Sequence, residues 1–404
     1  MEKKNISFIY LAITVIIMTF SMRATNNMII TTVPLLAKID LGFSRFLVGI
    51  ISAVIYLFTF TVTFYINPRL NSVLRRKLFI GANVAILVSL VGYYFADGIT
   101  IWLISALAGL AYGIMMPNLI TSSSLLKDQR ERERLISLYS VGLSLSLILG
   151  PTIEDYVLTF VSYRYVFLFF IPVVLAGLIV STMIKFPDTK NETRANVMKN
   201  DGLRASILTV TTYNVPFAAL SIFLTLYAIS KFHVSGAVAY SPYIYFFSVS
   251  FLTRIVLTIR PLKHIKIPLV ISIIITGFSL TMFPFLSTFT DFLLLMMLLG
   301  IPHGSIFPMS TIMIARGTTI EQRSAANSYF MAYNNVLFMI IPLVFGYIVG
   351  FIGYDYSFFI LIIPVIASAI YLFKRYGNNS TIFISNLKHK KGMAMDSGQK
   401  AGIK

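Results

Sequence analysis

The sequence predicts an all-α membrane protein whose twelve transmembrane helices form two six-helix bundles. Three observations lead to this prediction: an apolar composition, twelve apolar runs separated by charged loops, and an internal repeat at a fixed offset. Of the 404 residues, 57% are hydrophobic and 12% are charged, and the mean hydropathy is +0.82. Because a bilayer-spanning helix needs about 20 mostly apolar residues, a dozen of them leave no room for a soluble catalytic domain.

The composition also argues against several kinds of site. The chain has no cysteine, so it has no disulfide, thiol nucleophile or thiolate metal ligand. Its four histidines are scattered, which argues against a zinc enzyme, and we predict neither a metal nor a cofactor. The net charge of +18 would suit nucleic acid. We nevertheless predict no nucleic-acid partner, since polytopic membrane proteins collect Lys and Arg in their cytosolic loops.

Apolar runs bounded by charge, Pro or Gly predict the helices in order. The predicted ranges are 6–34, 45–66, 78–96, 100–124, 135–157, 163–184, 204–230, 240–259, 267–287, 290–315, 325–350 and 354–373. The first run is too long for a cleaved signal peptide, so we expect it to remain as a helix.

The Lys and Arg residues alternate between the two sides of the predicted bundle. Of the 33, 28 fall on the side that holds both termini, four fall on the other side, and Arg23 alone lies deep within a span. This distribution follows the positive-inside rule. It predicts a multi-pass protein of the plasma membrane with both termini in the cytosol.

The polar segment 186–203 divides the spans six and six, and its composition predicts a flexible linker. The predicted organisation is an N-terminal bundle at 1–185, this linker, a C-terminal bundle at 204–375 and a cytoplasmic tail at 376–404. The expected partners are the lipid bilayer and a small-molecule solute. We expect a monomer.

The two halves share an internal repeat. A constant shift of 191 residues superposes polar and special residues without a gap: Gly109 on Gly300, Gly113 on Gly304, Pro117 on Pro308, Arg132 on Arg323, Pro151 on Pro342 and Tyr163 on Tyr354. Six crossings return the chain to the same side, so the two halves run parallel. Parallel repeats of this kind are typical of secondary transporters, with the substrate site between the halves.

The loop after the second helix carries a recognisable motif. It reads Asn67-Pro-Arg-Leu-Asn71-Ser-Val-Leu-Arg75-Arg76 and resembles the signature Gly-x-x-x-Asp-Arg-x-Gly-Arg-Arg of the major facilitator superfamily. Arg75 and Arg76 match the terminal basic pair. Asn71 stands where the family has Asp, and Asn67 where it has Gly. Asn accepts a hydrogen bond but supplies no charge, which weakens the charge network expected at an inward gate.

Two further motifs are similar to patterns of the same superfamily. The fifth helix carries Gly142-x7-Gly150-Pro151, similar to the Gly-Pro signature of its exporters. The next helix begins Tyr163-Arg164-Tyr165-x-Phe167, similar to the Trp-Arg-aromatic-x-Phe start of its sixth helix. The resemblance implies the fold of that superfamily, with a parallel pseudo-two-fold repeat and alternating access, and it assigns no subfamily. Residues with an expected gating role are Asn71, Arg75, Arg76, Gly142, Gly150 and Pro151; ordinary helix packing is the alternative for the glycines and the proline.

Arg23 is the leading candidate for binding the solute. Thr19, Asn26 and Asn27 share its helical face, at i−4, i+3 and i+4. A charge inside a bilayer costs at least about 2.5–3.5 kcal/mol, so we expect this face to line a central cleft. There Arg23 binds an anionic or carbonyl-bearing group of the solute. The alternative is a structural role, as a cap on helix carbonyls or in an internal salt bridge.

Other polar residues inside the predicted spans are candidates for the same cleft. They are Asn118, Asn214, His303, Asn334 and Asn335. Hydrogen bonding between helices explains any single Asn equally well. His303 is also a candidate proton carrier because the unperturbed histidine pKa is near 6.5.

Coupling to protons requires a group whose charge changes, and two carboxylates, Glu154 and Asp155, fall plausibly within a span. Partial burial would favour protonation of Glu154 during the cycle. The alternative is a solvated pair of acids at the outer end of the helix.

These observations predict a secondary, ATP-independent transporter of a small organic solute that works by rocking of the two halves. Proton coupling is an added hypothesis, and the Gly-Pro motif favours efflux. The alternatives are an importer of an organic anion or a sugar, and a membrane-embedded enzyme that modifies lipids. We predict no enzyme, because the chain lacks the acidic metal-binding clusters that such an enzyme needs.

Overall fold

The computed structural model describes residues 8–43, 45–124, 126, 128–158, 160–184, 186, 194–234, 236–239 and 241–385. Across these residues the chain is almost entirely helical, and they form no β-strand beyond an isolated antiparallel bridge between His264 and Ile384. The all-α class and the twelve-helix architecture are confirmed.

Twelve helices in the described part of the chain cross the bundle. They are α1 (Phe8–Leu35), α2 (Arg45–Thr61), α3 (Ser72–Phe95), α4 (Thr100–Ser123), α5 (Gln129–Leu158), α6 (Tyr163–Phe169 with Ile171–Ser181), α7 (Asp201–Phe232), α8 (Ser241–Ile259), α9 (Lys266–Met282), α10 (Phe289–Gly317), α11 (320–352) and α12 (354–376). Short helices lie at Arg194–Lys199, Gly236–Ala239 and Ser380–Phe383.

Gly353 separates α11 from α12. Its φ of 71° breaks an otherwise continuous helix from Ile320 to Ile360, and only glycine adopts this conformation without a steric penalty. By length and composition, ten helical stretches of the described residues could cross a membrane, and one of them, Ile320–Tyr376, contains both α11 and α12. The helix Arg45–Thr61 has 17 residues and continues through a π turn at Val62–Ile66.

Several helices begin earlier than the apolar runs predict, and α3 and α5 show why. α3 starts at Ser72 because Asn71 caps it: the Asn71 side-chain oxygen accepts a hydrogen bond from the Leu74 backbone N–H at 2.8 Å. α5 starts at Gln129, so its charged first turns are helical although they are not apolar. Hydropathy marks the part of a helix that is apolar, and both helices extend beyond it.

Part of the predicted linker, residues 187–193, lies outside the described residues. Residues Arg194–Lys199 form a short helix, and α7 begins at Asp201 with Asn200 as its N-cap. The predicted tail is described only as far as residue 385, where the segment Ser380–Phe383 and its flanks pack against the loop between α8 and α9.

The internal repeat is visible in the packing. A Cβ at Gly109 of α4 would lie 2.5 Å from the Ile55 carbonyl oxygen of α2, and a Cβ at Gly300 of α10 would lie 2.6 Å from the Phe246 carbonyl oxygen of α8. Ile55 and Phe246 are themselves 191 residues apart. The same close helix contact therefore occurs in both halves, in the same register, and glycine is what permits it.

The two halves meet through polar contacts near one end of the bundle. We call this the basic end; it carries the loops 66–71, 124–128, 260–265 and 318–319, and it is the side that the positive-inside rule assigns to the cytosol. Among the described residues, hydrogen bonds that cross between the halves there include Arg316 with Glu133, Arg323 with Ser124, Asn67 with Ser328, Asn327 with Thr121, and Arg254 with Ser140. These contacts close the basic end of the structure.

Candidate functional site

A cavity of about 220 Å³ lies between the two halves, halfway along the helices. Nine of its described lining residues come from the first half and ten from the second. From the first half they are Arg23, Asn26, Asn27, Ile30, Tyr56, Met116, Leu143, Ser146 and Leu147; from the second, Tyr213, Asn214, Phe217, Arg254, His303, Phe307, Met331, Asn334, Asn335 and Phe338.

The repeat places equivalent positions on opposite walls of this cavity. Pairs separated by 191 residues line it together: Arg23 and Asn214, Asn26 and Phe217, Met116 and Phe307, Leu143 and Asn334, Leu147 and Phe338. In two of the five pairs, Asn26 with Phe217 and Leu143 with Asn334, one wall is polar where the other is apolar. The cavity therefore lies between equivalent surfaces of the two halves, but its chemistry is asymmetric.

Arg23 projects from the middle of α1. Its Nε is buried and makes no hydrogen bond to any described residue. Asn26 and Asn27 line the same wall one turn further along, whereas Thr19 does not line the cavity. The arginine is therefore available to a ligand, and within the described residues it makes neither the carbonyl cap nor the internal salt bridge of the structural alternative.

Arg254 lines the cavity, although counting charges includes it among the 28 basic residues on the predicted cytosolic side. It lies within α8, is 3% exposed and lines the cavity. Its Nη1 donates to the Ser140 carbonyl at 2.7 Å and its Nη2 to the His303 carbonyl at 3.1 Å. The prediction that Arg23 is the only basic residue deep in a span is therefore wrong. The position of Arg254 inside the apolar run 240–259 was the available signal.

His303 lies among aromatic rings on the wall of the second half. Its ring centroid is 4.4 Å from that of Phe217, 4.8 Å from Phe246 and 5.5 Å from Tyr213. Neither of its ring nitrogens has a hydrogen-bond partner among the described residues, and the same holds for the Tyr213 hydroxyl. A buried polar group without a partner is costly, so these groups are available to a bound solute.

The asparagines of the second half differ from one another. The Asn214 side-chain amide donates to the Asn334 side-chain oxygen, and the Asn334 amide donates to the Phe330 carbonyl at 2.7 Å. This pair couples α7 to α11. The Asn335 Nδ2 is buried and makes no hydrogen bond within the described part of the chain. Of the three, Asn335 has the freest donor facing the cavity.

Asn118 does not line the cavity, so the prediction that it faces the central cleft is wrong. Its Nδ2 donates to the Asn67 side-chain oxygen at 2.6 Å and to the Ile114 carbonyl at 2.8 Å. The Asn67 amide donates in turn to the Ser328 hydroxyl of the second half at 2.6 Å. Asn118 therefore supports a contact between the halves at the basic end. The loop that carries Asn67 reaches Asn118 only through tertiary folding.

The loop motif after α2 spans the connection to α3 and the first turns of α3. Asn71 caps α3, the Arg75 Nη2 donates to the Leu70 carbonyl at 2.5 Å, and the Arg76 Nη2 donates to the Thr182 carbonyl at 3.1 Å. These hydrogen bonds of Arg75 and Arg76, within the described residues, stay inside the first half. The Asn67 side chain of the motif reaches the second half, where it donates to the Ser328 hydroxyl.

The small residues of α5 pack against α1. A Cβ at Gly142 would lie 3.0 Å from the Thr19 Cβ, and one at Gly150 would lie 3.4 Å from the Ala24 Cα. Close helix packing thus accounts for Gly142, whereas a Cβ at Gly150 would make an ordinary van der Waals contact. The side chain of Pro151 lies outside the described part of the structure.

Glu154 is buried between α5 and α1. It is 7% exposed, and its two carboxylate oxygens accept hydrogen bonds from the Thr31 hydroxyl at 2.6 Å and the Thr32 hydroxyl at 2.7 Å. The alternative of a solvated acid therefore does not hold for Glu154, because α1 covers it. The side chain of Asp155 is outside the described residues.

The charge of the cavity is unbalanced. Arg23 and Arg254 line it, and no Asp or Glu is found among its described lining residues. The described part of the chain also holds no group of three or more His, Asp or Glu that could hold a metal ion. The site can therefore offer two guanidinium groups, a histidine and several amides to a solute, next to aromatic surface.

Comparison with known proteins agrees with this arrangement. The family model described as Major Facilitator Superfamily matches residues 15–265 and 262–386. No curated protein matches the chain in sequence.

Solved structures with the same fold cover nearly the whole chain. The human organic anion transporter MFSD10 (TETRAN) has a TM-score of 0.77 over 91% of this chain and 100% of its own, at 11% identity. The proton:xylose symporter XylE has a TM-score of 0.75 over 91% of this chain and 95% of its own, at 13% identity. FucP in the outward conformation has a TM-score of 0.72 over 90% of this chain and 98% of its own, at 14% identity. The chain belongs to the major facilitator superfamily.

Proposed function

We propose that this membrane transporter carries a small organic anion by alternating access, through the cavity between its two halves. Its family supports secondary transport, without ATP. The observation behind the choice of an anion is the pair Arg23 and Arg254, which line the cavity together while none of its described lining residues is acidic.

The cost of burying these charges supports the proposal. A single Arg at the centre of a membrane helix costs at least about 2.5–3.5 kcal/mol, and a second one nearby adds repulsion. A carboxylate or phosphate group on the solute supplies the missing negative charge, whereas a neutral sugar does not. The relatives named above include an organic anion transporter and sugar symporters. The charge of this cavity favours the anion.

The size and surface of the cavity narrow the solute further. Its volume of about 220 Å³ is below the roughly 300–1,000 Å³ of pockets for drug-sized ligands. Phe217, Phe307 and Phe338 supply a wall that suits a flat apolar body. We therefore propose a compact solute, such as a single-ring or short-chain acid. A large amphipathic compound fits less well.

Proton coupling and direction belong to the same proposal. Glu154 is buried and accepts a hydrogen bond from the Thr31 hydroxyl. Thr31 lies one helical turn from the cavity residue Asn27, and its hydroxyl also donates to the Asn27 carbonyl. This location supports Glu154 as the proton site, with His303 as the alternative. The Gly-Pro motif of α5 favours efflux, and the positive-inside pattern supports cytosolic termini. A monomer in the plasma membrane is part of the same proposal.

A thermal-shift experiment on the purified protein in detergent tests the anion. The probes are benzoate, succinate, benzamide and D-xylose at constant ionic strength; benzamide has the shape of benzoate without its charge. We expect benzoate or succinate to raise the melting temperature, since a ligand at 100 times its Kd stabilises by about 2.7 kcal/mol. Benzamide and D-xylose should have no effect. A shift with D-xylose and none with either acid would contradict the proposal.

Flux into liposomes tests transport itself. The probe is the radiolabelled form of the acid that raises the melting temperature. We expect its uptake to proceed without ATP and to respond to an imposed pH gradient. Binding without flux would contradict the transport step. Flux that does not respond to the pH gradient would be consistent with anion transport but would contradict proton coupling.

A further inference from the structure

Arg254 bridges the two halves at the edge of the cavity. Its Nη1 donates to the Ser140 carbonyl of α5 at 2.7 Å, and its Nη2 donates to the His303 carbonyl of α10 at 3.1 Å. Ser140 belongs to the first half, whereas His303 and Arg254 belong to the second. The same side chain lines the solute cavity. One guanidinium group therefore faces the solute space and holds the halves together.

These two hydrogen bonds leave the guanidinium incompletely satisfied. It has five N–H donors, and its Nε has no partner among the described residues. Its acceptors are backbone carbonyls, which carry no full charge. A hydrogen bond between a guanidinium and an anionic oxygen is roughly twice as strong as one between neutral groups. An anion in the cavity therefore competes with the Ser140 carbonyl for Arg254.

The position of Ser140 gives this competition a mechanical consequence. Ser140 lies one helical turn from the cavity residue Leu143, on the side of the basic end. Beyond it lie the other contacts that close this end, including the ion pair of Arg316 with Glu133. Arg23, in contrast, has no described hydrogen bond to give up. Of the two cavity arginines, Arg254 is therefore the one whose hydrogen bonds, among the described residues, reach the other half.

We propose that Arg254 links anion binding to separation of the two halves at the basic end. The inference rests on the proposed function, since the bound anion draws the guanidinium away from the Ser140 carbonyl. The basic end then loses the contact nearest to the cavity, while the bond to His303 keeps Arg254 attached to its own half. Loss of a hydrogen bond to a charged group changes an equilibrium roughly ten- to hundredfold.

The chain has no cysteine, so introduced cysteines can be spin-labelled selectively. Val73→Cys with Ile267→Cys marks exposed positions near the basic ends of α3 and α9. Phe160→Cys with Phe351→Cys marks exposed, repeat-related positions at the opposite end. Electron–electron double resonance on each labelled pair reports the separation of the halves. In the parent protein, we expect benzoate or succinate to lengthen the basic-end distance. Benzamide should leave this distance unchanged.

Substitutions at Arg254 distinguish its hydrogen bond to the Ser140 carbonyl from its positive charge. Arg254→Met should populate the longer basic-end distance without any anion, by about tenfold, and anions should add nothing further. Arg254→Lys keeps the charge, but a single ammonium cannot span two carbonyls, so an intermediate distribution is expected. Arg260→Met, an exposed arginine directly after the same helix, is the matched control and should resemble the parent.

Each outcome decides between the two proposals. If an acid raises the melting temperature of the parent but leaves the basic-end distance unchanged, the link through Arg254 is wrong. If both Arg254 variants keep the anion-free distribution of the parent, Arg254 is no tether. If neither acid binds the parent, the anion proposal fails, and the anion-free distances of the two variants still decide whether Arg254 holds the halves together.

Discussion

Asp40 and Lys231 lie 191 residues apart, at equivalent positions of the two halves, and carry opposite charges. Asp40 Oδ2 lies 3.1 Å from Arg164 Nε, and Lys231 Nζ lies 2.7 Å from Asp355 Oδ1. Arg164 and Asp355 are also 191 residues apart. Asp40 ends the π-helical turn Leu36–Asp40 that continues α1, and Lys231 lies in the last turn of α7. Each ion pair therefore joins the end of the first helix of its half to the start of the last. The repeat therefore keeps the ion pair while its charges are exchanged.

Exchange of the charges at Asp40 and Arg164 should be tolerated. Asp40→Lys alone brings two cations together, and Arg164→Asp alone brings two anions together, so each should lower the melting temperature. The double exchange reproduces the arrangement of the second half and should recover part of the loss. The Arg164 and Asp40 side chains are 29% and 21% exposed, so we expect a coupling energy between them of about 0.5–1 kcal/mol. A double variant no more stable than the worse single variant would contradict the exchange.

Gly304 should not tolerate a methyl group. A Cβ there would lie 2.5 Å from the Ser250 carbonyl oxygen and 2.6 Å from the Thr253 Cβ, so alanine forces α8 and α10 apart. We expect a loss of about 1–3 kcal/mol in the free energy of unfolding, measured in detergent. Gly350→Ala is the control, because nothing lies within 4 Å of its Cβ position. Equal stabilities of the two variants would show that the helices do not approach closely at Gly304.

The helices, their order and the repeat could be predicted from the sequence because hydropathy and fixed spacing are local properties. Arg23 could be found for the same reason: a charge at the middle of an apolar run needs a cavity. Arg254 was missed because it lies five residues before the end of α8, where counting charges assigns it to the cytosolic side although it falls inside the apolar run 240–259. Which side an arginine near a helix end turns to depends on its neighbours, here α5 and α10.

Asn118 shows the same limit from the other direction. It looks like Asn214 or Asn334 in sequence, an amide within an apolar run. Its side chain turns to Asn67, from the loop after α2, instead of the cavity. The sequence therefore identifies which amides must find a partner in the bundle, and only the packing of distant segments identifies the partner.

Arg23→Ala should abolish anion transport without preventing folding. The substitution removes a guanidinium without a described partner, so the anion-free protein loses no observed hydrogen bond. We expect anion binding to weaken by about 2 kcal/mol or more, measured as the lost thermal shift with benzoate or succinate. Arg23→Lys keeps the charge and should retain part of the binding. Normal transport kinetics in Arg23→Ala would remove Arg23 from the site.

Glu154→Gln tests the proposed proton site. Glutamine keeps the size of the side chain and one oxygen for Thr31 or Thr32, but it cannot gain or lose a proton at physiological pH. We expect flux in liposomes to lose its response to an imposed pH gradient while exchange of the solute continues. Ser144→Ala, on the same helix with a buried hydroxyl that has no described partner, is the control. An unchanged pH response in Glu154→Gln would point to His303 or to transport without a proton.

The ion pair of Arg316 and Glu133 should hold the basic end closed. Arg316 Nε lies 2.6 Å from Glu133 Oε1 and Nη2 lies 2.8 Å from Oε2, and the two side chains are 2% and 1% exposed. Removing one partner leaves a buried charge at a cost of about 3–5 kcal/mol, which the protein can relieve by separating its halves. Glu133→Met alone should therefore lengthen the distance between labels at positions 73 and 267.

The double variant Glu133→Met with Arg316→Met removes both charges and places two apolar side chains at the interface. Buried ion pairs replaced in this way are often as stable as before, so the shorter distance should return. The return distinguishes an effect of unbalanced charge from a simple loss of contact. If the double variant is as open as Glu133→Met, the specific geometry of the ion pair closes this end, and its opening cannot be driven by charge alone.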